Sequence, residues 1–101
     1  MASLKIPPEL TPVVAFHGHL CPGLLIGWRA SRMAMKLLGL SRDVDEEIVA
    51  VVENDACGVD AIQAVLGCTF GKGNFIFRDY GKHAFTVFRH SDGRGVRLVY
   101  R

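Results

Sequence analysis

The sequence predicts an α+β domain, with helices packed on one side of a mainly antiparallel sheet. Three observations carry that expectation. Between Pro22 and Gly39 runs an unbroken segment whose apolar residues recur at helical spacing. Ile48-Val-Ala-Val-Val52 is a continuous β-branched run. From residue 74 onward the apolar pattern changes to period two, and turn residues divide it into three short segments. All 101 residues are expected to form one domain, because a chain of this length builds a single core with no spare second module.

Taken in order, Pro7-Pro8-Glu-Leu-Thr-Pro12 reads as an extended or single-turn lead-in, since each proline restricts itself and its predecessor. Phe16-His-Gly-His-Leu-Cys-Pro-Gly23 follows as a loop. Pro22 suits the first position of a helix, and Gly39 suits the position just past its end. Between them Leu24, Trp28, Met35 and Leu38 make an apolar stripe, reinforced by Ile26, Ala30, Met33 and Leu37, while Arg29, Arg32 and Lys36 take the wet face. Asp43 to Glu47 reads as a solvated acidic turn. The run Ile48–Val52 is expected as a strand buried on both faces. Gly58 to Leu66 reads as a second helix, with Val59, Ile62 and Leu66 on its stripe. Residues 74–78, 84–89 and 96–100 then read as a strand meander turned by Asp79-Tyr-Gly81 and Ser91-Asp-Gly-Arg-Gly95.

Half the residues are hydrophobic and 22% are charged, a globular balance. The net charge is only +2 and the arginines are spread along the chain, which argues against nucleic acid as a partner. Three cysteines cannot form a complete intramolecular disulfide set. The first eight residues are too short and interrupted for a signal peptide, and the longest apolar run falls far short of a membrane span. A reducing cytoplasm is therefore the expected compartment, where cysteines more often bind metals or react than cross-link.

Chemistry concentrates in two clusters. His17, His19 and Cys21 place three transition-metal ligands within five residues, and in extended backbone their side chains would share one side. Such a set leaves a tetrahedral metal one ligand short. The second cluster, Glu53-Asn-Asp-Ala-Cys-Gly-Val-Asp60, offers the missing ligand in Cys57, at a strand-to-helix turn. Cys21 and Cys57 both fall at helix N-termini, which favour a thiolate. Of the two histidines His17 is the preferred ligand, and His19 either ligates or orients a ligand from behind. Asp60 is a further candidate ligand, although helix-dipole stabilisation alone explains an acid in the first turn. Glu53 and Asp55 are candidate general bases if the metal site is open.

Other features carry less. Gly67-Cys-Thr-Phe-Gly-Lys-Gly-Asn74 lacks the order of a phosphate-binding loop and precedes a strand, so it reads as a tight connection, with Lys72 as its one charge. Cys68 is expected to be buried, and His83 and His90 lie in the meander without a partner in sequence. No nucleophile elbow, dinucleotide fingerprint or Ser-His-Asp order is present.

Three motifs in order, Phe16–Gly23, Val52-Glu-Asn-Asp-Ala-Cys-Gly-Val-Asp-Ala-Ile-Gln63 and Gly67–Asn74, resemble the FmdE family, named for a component of the formylmethanofuran dehydrogenase of methanogens. Asp79-Tyr-Gly-Lys82 and the Ala-Phe-Thr-Val-Phe that follows are similar too, so the resemblance spans about Val13 to Tyr100. It implies an α+β domain binding a metal, zinc first and another divalent transition metal as the alternative, through the His/Cys run and the cysteine after the buried strand. It also implies a homodimer and an accessory part in anaerobic one-carbon or redox metabolism, with a larger oxidoreductase complex as a partner. Longer members carry a cysteine-rich zinc-ribbon tail that has no counterpart in this sequence. The alternative to an accessory role is a stand-alone small metalloenzyme with an open metal site and a carboxylate base. The apolar run Val96–Tyr100 independently suggests an edge strand covered by a second copy.

Overall fold

The computed structural model describes residues 7–42 and 47–100. The acidic turn expected from Asp43 lies outside these residues except for Glu47, as does the start of the N-terminal segment. After a 3-10 turn at Pro8–Leu10 come helix α1 (Thr11–His17), helix α2 (Pro22–Leu38), strand β1 (Ile48–Val52) and helix α3 (Cys57–Leu66). Strands β2 (Phe75–Phe77), β3 (Ala84–Arg89) and β4 (Gly95–Val99) complete the fold. The class is α+β, as expected, and the sheet is mostly antiparallel.

Helix α1 corrects the sequence reading, which made His17 part of a loop. Pro12 stands in the opening turn, where its missing N–H costs nothing, and Val13 packs beside Leu10, Leu24 and Ala61. The helix stops at Gly18, which holds a left-handed φ of 110° while its N–H bonds the Val14 carbonyl. His17 therefore stands at a helix end, and the residues from 17 to 21 do not run as one alternating extended stretch.

Helix α2 begins at Pro22 and ends at left-handed Gly39, as those two residues predict. Its buried face differs from the expected stripe. Gly27, Ser31 and Ala34 are buried with Leu24 and Leu38, whereas Met33 and Leu37 are more than half exposed. The reason is a close crossing with α3. A methyl group built on Gly27 would lie 2.6 Å from the Gly58 Cα and 2.7 Å from its carbonyl carbon, so only glycine fits there. Gly23, one turn earlier, faces the Cys57 Cβ at 3.1 Å on the same test. Buried Ser31 meets its own polar need by donating to the Gly27 carbonyl at 2.7 Å.

The sheet order is β2-β1-β3-β4. Strand β2 pairs parallel with β1 rather than continuing a meander into β3, because α3 crosses over between β1 and β2 and returns the chain in the same direction. Ile48, Ala50, Val52, Phe85 and Val87 form the buried floor beneath the helices. Val49 and Val51 are only half-buried, which corrects the expectation of a strand covered on both faces. On that second face Arg97 grips Glu53 with two bonds, Nε to Oε2 at 2.8 Å and Nη2 to Oε1 at 2.9 Å. At the far end of the sheet Arg89 donates to the last-turn carbonyl of Leu38 and pairs with Asp92, tying α2 to the β3–β4 turn. Asp92 is thereby held down to a pKa of about 2, with Arg89 the main cause.

Candidate metal centre

The Gly27–Gly58 crossing brings the first residues of α2 and α3 together. Cys21 is the N-cap of α2, with extended backbone, and Cys57 is the first residue of α3. His17 enters from the end of α1. One donor atom from each of His17, Cys21 and Cys57 lies within 4.8 Å of the others, and the Cys21 Sγ stands 3.9 Å from the His17 Nε2. Three elements thus deliver three soft donors to one point.

The opposite nitrogen of His17 is committed as well. Its Nδ1 meets the Asp60 Oδ2 at 2.7 Å, and the Gln63 amide reaches the other Asp60 oxygen at 3.4 Å. This carboxylate fixes the ring so that Nε2 faces the two sulfurs, an arrangement commonly found behind metal-bound histidines. The Asp60 bond is the main cause of a raised His17 pKa. The Cys21 thiol is lowered first by the Leu24 N–H in the opening turn of α2, although the approach falls short of a formal cap bond. Cys57 moves upward, chiefly because its neighbour is the readily ionised Cys21. Without a cation between them, two thiolates at this separation repel, so one keeps its proton.

The donor set fits a transition metal. Zinc–sulfur bonds of about 2.3 Å and zinc–nitrogen bonds of about 2.0 Å in a tetrahedron put neighbouring donors roughly 3.5–3.8 Å apart. The observed spacing requires only a small contraction. The other expected residues are placed differently. His19 is exposed, with its ring tilted against His17 at 4.7 Å between centroids, and it is not in the converging group. Asp60 touches the outer nitrogen of His17. Cys68 is buried, with its sulfur 3.6 Å from the Ile48 carbonyl, outside the converging group. Glu53 projects from the sheet face away from the helices and is held by Arg97, which keeps its carboxyl below the ordinary range. A carboxylate so engaged is a poor proton acceptor, and the reading of Glu53 as a general base is withdrawn. Asp55 is exposed in the turn before α3.

Comparison with known proteins bears on what this group of residues is. The family model described as FmdE, molybdenum formylmethanofuran dehydrogenase operon, matches residues 16–101. The chain belongs to the FmdE family. It is 44% identical over 98 residues to a protein of Archaeoglobus fulgidus described as a probable S-adenosyl-L-methionine-binding protein, covering 93% of this chain and 27% of that one. It is also similar to the crystal structure of an FmdE-like protein, of the tungsten formylmethanofuran dehydrogenase type, from Syntrophus aciditrophicus. That match has a TM-score of 0.73 and 33% identity, and covers 87% of this chain and 46% of the other. This FmdE domain therefore spans under half the length of both relatives. Among its described residues no helix is long and apolar enough to cross a membrane.

Two features of the site escaped sequence reasoning. The Gly23 and Gly27 pair, four residues apart on one helix face, was a legible sign of a close helix crossing. The His17–Asp60 bond joins residues 43 apart, and no local signal announces it.

Proposed function

We propose that this FmdE domain is a transition-metal module, with zinc as the ion, held by His17, Cys21 and Cys57. Its role is accessory or ligand-binding, in anaerobic one-carbon or redox metabolism in the cytoplasm, beside a larger oxidoreductase. Pairing of two copies along the β4 edge belongs to the same reading. The observation that carries it is the convergence of two thiols and an imidazole within 4.8 Å, with the imidazole oriented by Asp60. The name of the Archaeoglobus relative points to S-adenosyl-L-methionine, but this chain corresponds to 27% of that protein, so the donor group guides the assignment instead.

Three donors leave one position of a tetrahedral shell to a small molecule, which favours, as a second reading, a stand-alone metalloenzyme. A zinc ion in such a site acts as a Lewis acid on what binds beside it. The protein's own part is to hold two thiolates at helix starts and one imidazole in a fixed tautomer. Cobalt substitution followed by titration with cyanide or a small thiol tests the open position. A shift of the visible bands on titration is expected, and a spectrum indifferent to every added ligand would mean a closed shell. Asp60→Asn should weaken metal retention by about 10–100-fold while leaving the fold intact, because the imidazole loses its orienting carboxylate. Competition with a chromophoric chelator measures it, and unaltered affinity would reduce Asp60 to a helix-start acid.

A further inference from the structure

At the other end of the helical layer from the thiols lies a cavity of about 440 Å³. It is walled by the start of α1, the second half of α2 and the end of α3, whereas the metal donors sit at the end of α1 and the starts of α2 and α3. Its apolar lining comes from Val13, Trp28, Met35 and Val65 among others, and Arg32, Arg42 and Glu9 are its charged groups. Both guanidiniums are held in place by contacts that leave their charge unmatched. Arg32 lies over the Trp28 ring at 5.1 Å from the centroid, and Arg42 donates its Nε to the Ala64 carbonyl at 3.1 Å. Among the described residues neither forms an ion pair with a carboxylate.

We infer that this cavity binds a small organic anion, with an apolar or aromatic body against Trp28 and a carboxylate or phosphate between Arg32 and Arg42. The physical argument is the division of labour in the lining. An apolar floor of this size suits a small-molecule body, and a few convergent polar groups fix its orientation. Two positioned guanidiniums outweigh the single Glu9 carboxylate, so the cavity carries a net positive field. Guanidinium forks match the planar carboxylate and the phosphate group alike.

Trp28 is the only tryptophan in the chain, so its indole N–H gives one isolated signal that reports on this cavity. The test follows that signal by ¹⁵N–¹H correlation spectroscopy while the intact protein is titrated with benzoate, with phenyl phosphate, and with neutral benzamide. Saturable shifts are expected with at least one anion, and binding of benzamide at least fivefold weaker. Preference for benzoate or for phenyl phosphate distinguishes the carboxylate from the phosphate form of the ligand. Arg32→Gln and Arg42→Gln should each weaken the anion at least fivefold, with Arg29→Gln, which lines another part of α2, leaving it unchanged. The backbone spectrum of each variant checks that the fold persists. Absence of saturation with both anions, equal binding of benzamide, or parent-like affinity in both arginine variants would overturn the assignment. The readout is independent of metal content, so its failure and that of the metal centre are separable.

Discussion

Replacing Gly27 by alanine should destabilise the domain by about 3 kcal/mol, near the top of the range for overpacking a close-packed interior. At an ordinary exposed helix position the same change stabilises by up to about 1 kcal/mol, so the expected sign is the reverse of what helix propensity alone gives. The new methyl would meet the Gly58 backbone, 2.6 Å from its Cα, and backbone cannot step aside as a flexible side chain can. Relief requires α2 and α3 to separate, which draws Cys21 away from Cys57. Thermal unfolding should show a loss of roughly 12 °C or more, given about 4–8 °C per kcal/mol for a domain of this size. Gly71→Ala is the matched control, since a methyl there meets nothing within 4 Å. An unchanged melting temperature for Gly27→Ala would mean that the helix crossing tolerates what its geometry forbids.

Cys57→Ser should cost more than about a hundredfold in metal affinity, exceeding the usual loss from an outer-shell substitution because a thiolate donor itself is removed. Cys68→Ser should leave affinity within a few-fold of the parent. Cys68 is buried against the Ile48 carbonyl, outside the group of three donors, so its replacement acts on packing alone. Measuring both variants against the same chelator separates a donor from a buried thiol. Equal retention would remove Cys57 from the site.

The strands and the two longer helices were legible because each has its own periodicity and punctuation. Pro22 and Gly39 bracket α2, and the phenylalanines of 84–89 stand among smaller β-formers. Helix α1 was not legible: Thr11-Pro-Val-Val-Ala-Phe-His17 is two turns long and has two adjacent valines. A helix so short owes its existence to packing, here of Leu10 and Val13 beside Leu24 and Ala61. The parallel pairing of β2 with β1 follows from the α3 crossover and leaves no trace in Phe75-Ile-Phe77 itself. At the site, Cys21 and Cys57 could be read from their places at helix starts. The burial of small residues on α2, and the turn of Asp60 toward His17, depend on how the helices cross. That information is held in contacts between distant residues.

The central claim is that His17, Cys21 and Cys57 together hold one ion. Elemental analysis of anaerobically purified protein, reconstituted under reducing conditions, tests it most directly. The account predicts about one transition metal per chain, zinc foremost, falling to near none when Cys21 and Cys57 are both replaced by serine. A parent protein that takes up no transition metal even after reconstitution, or a double variant that retains it in full, would contradict the account.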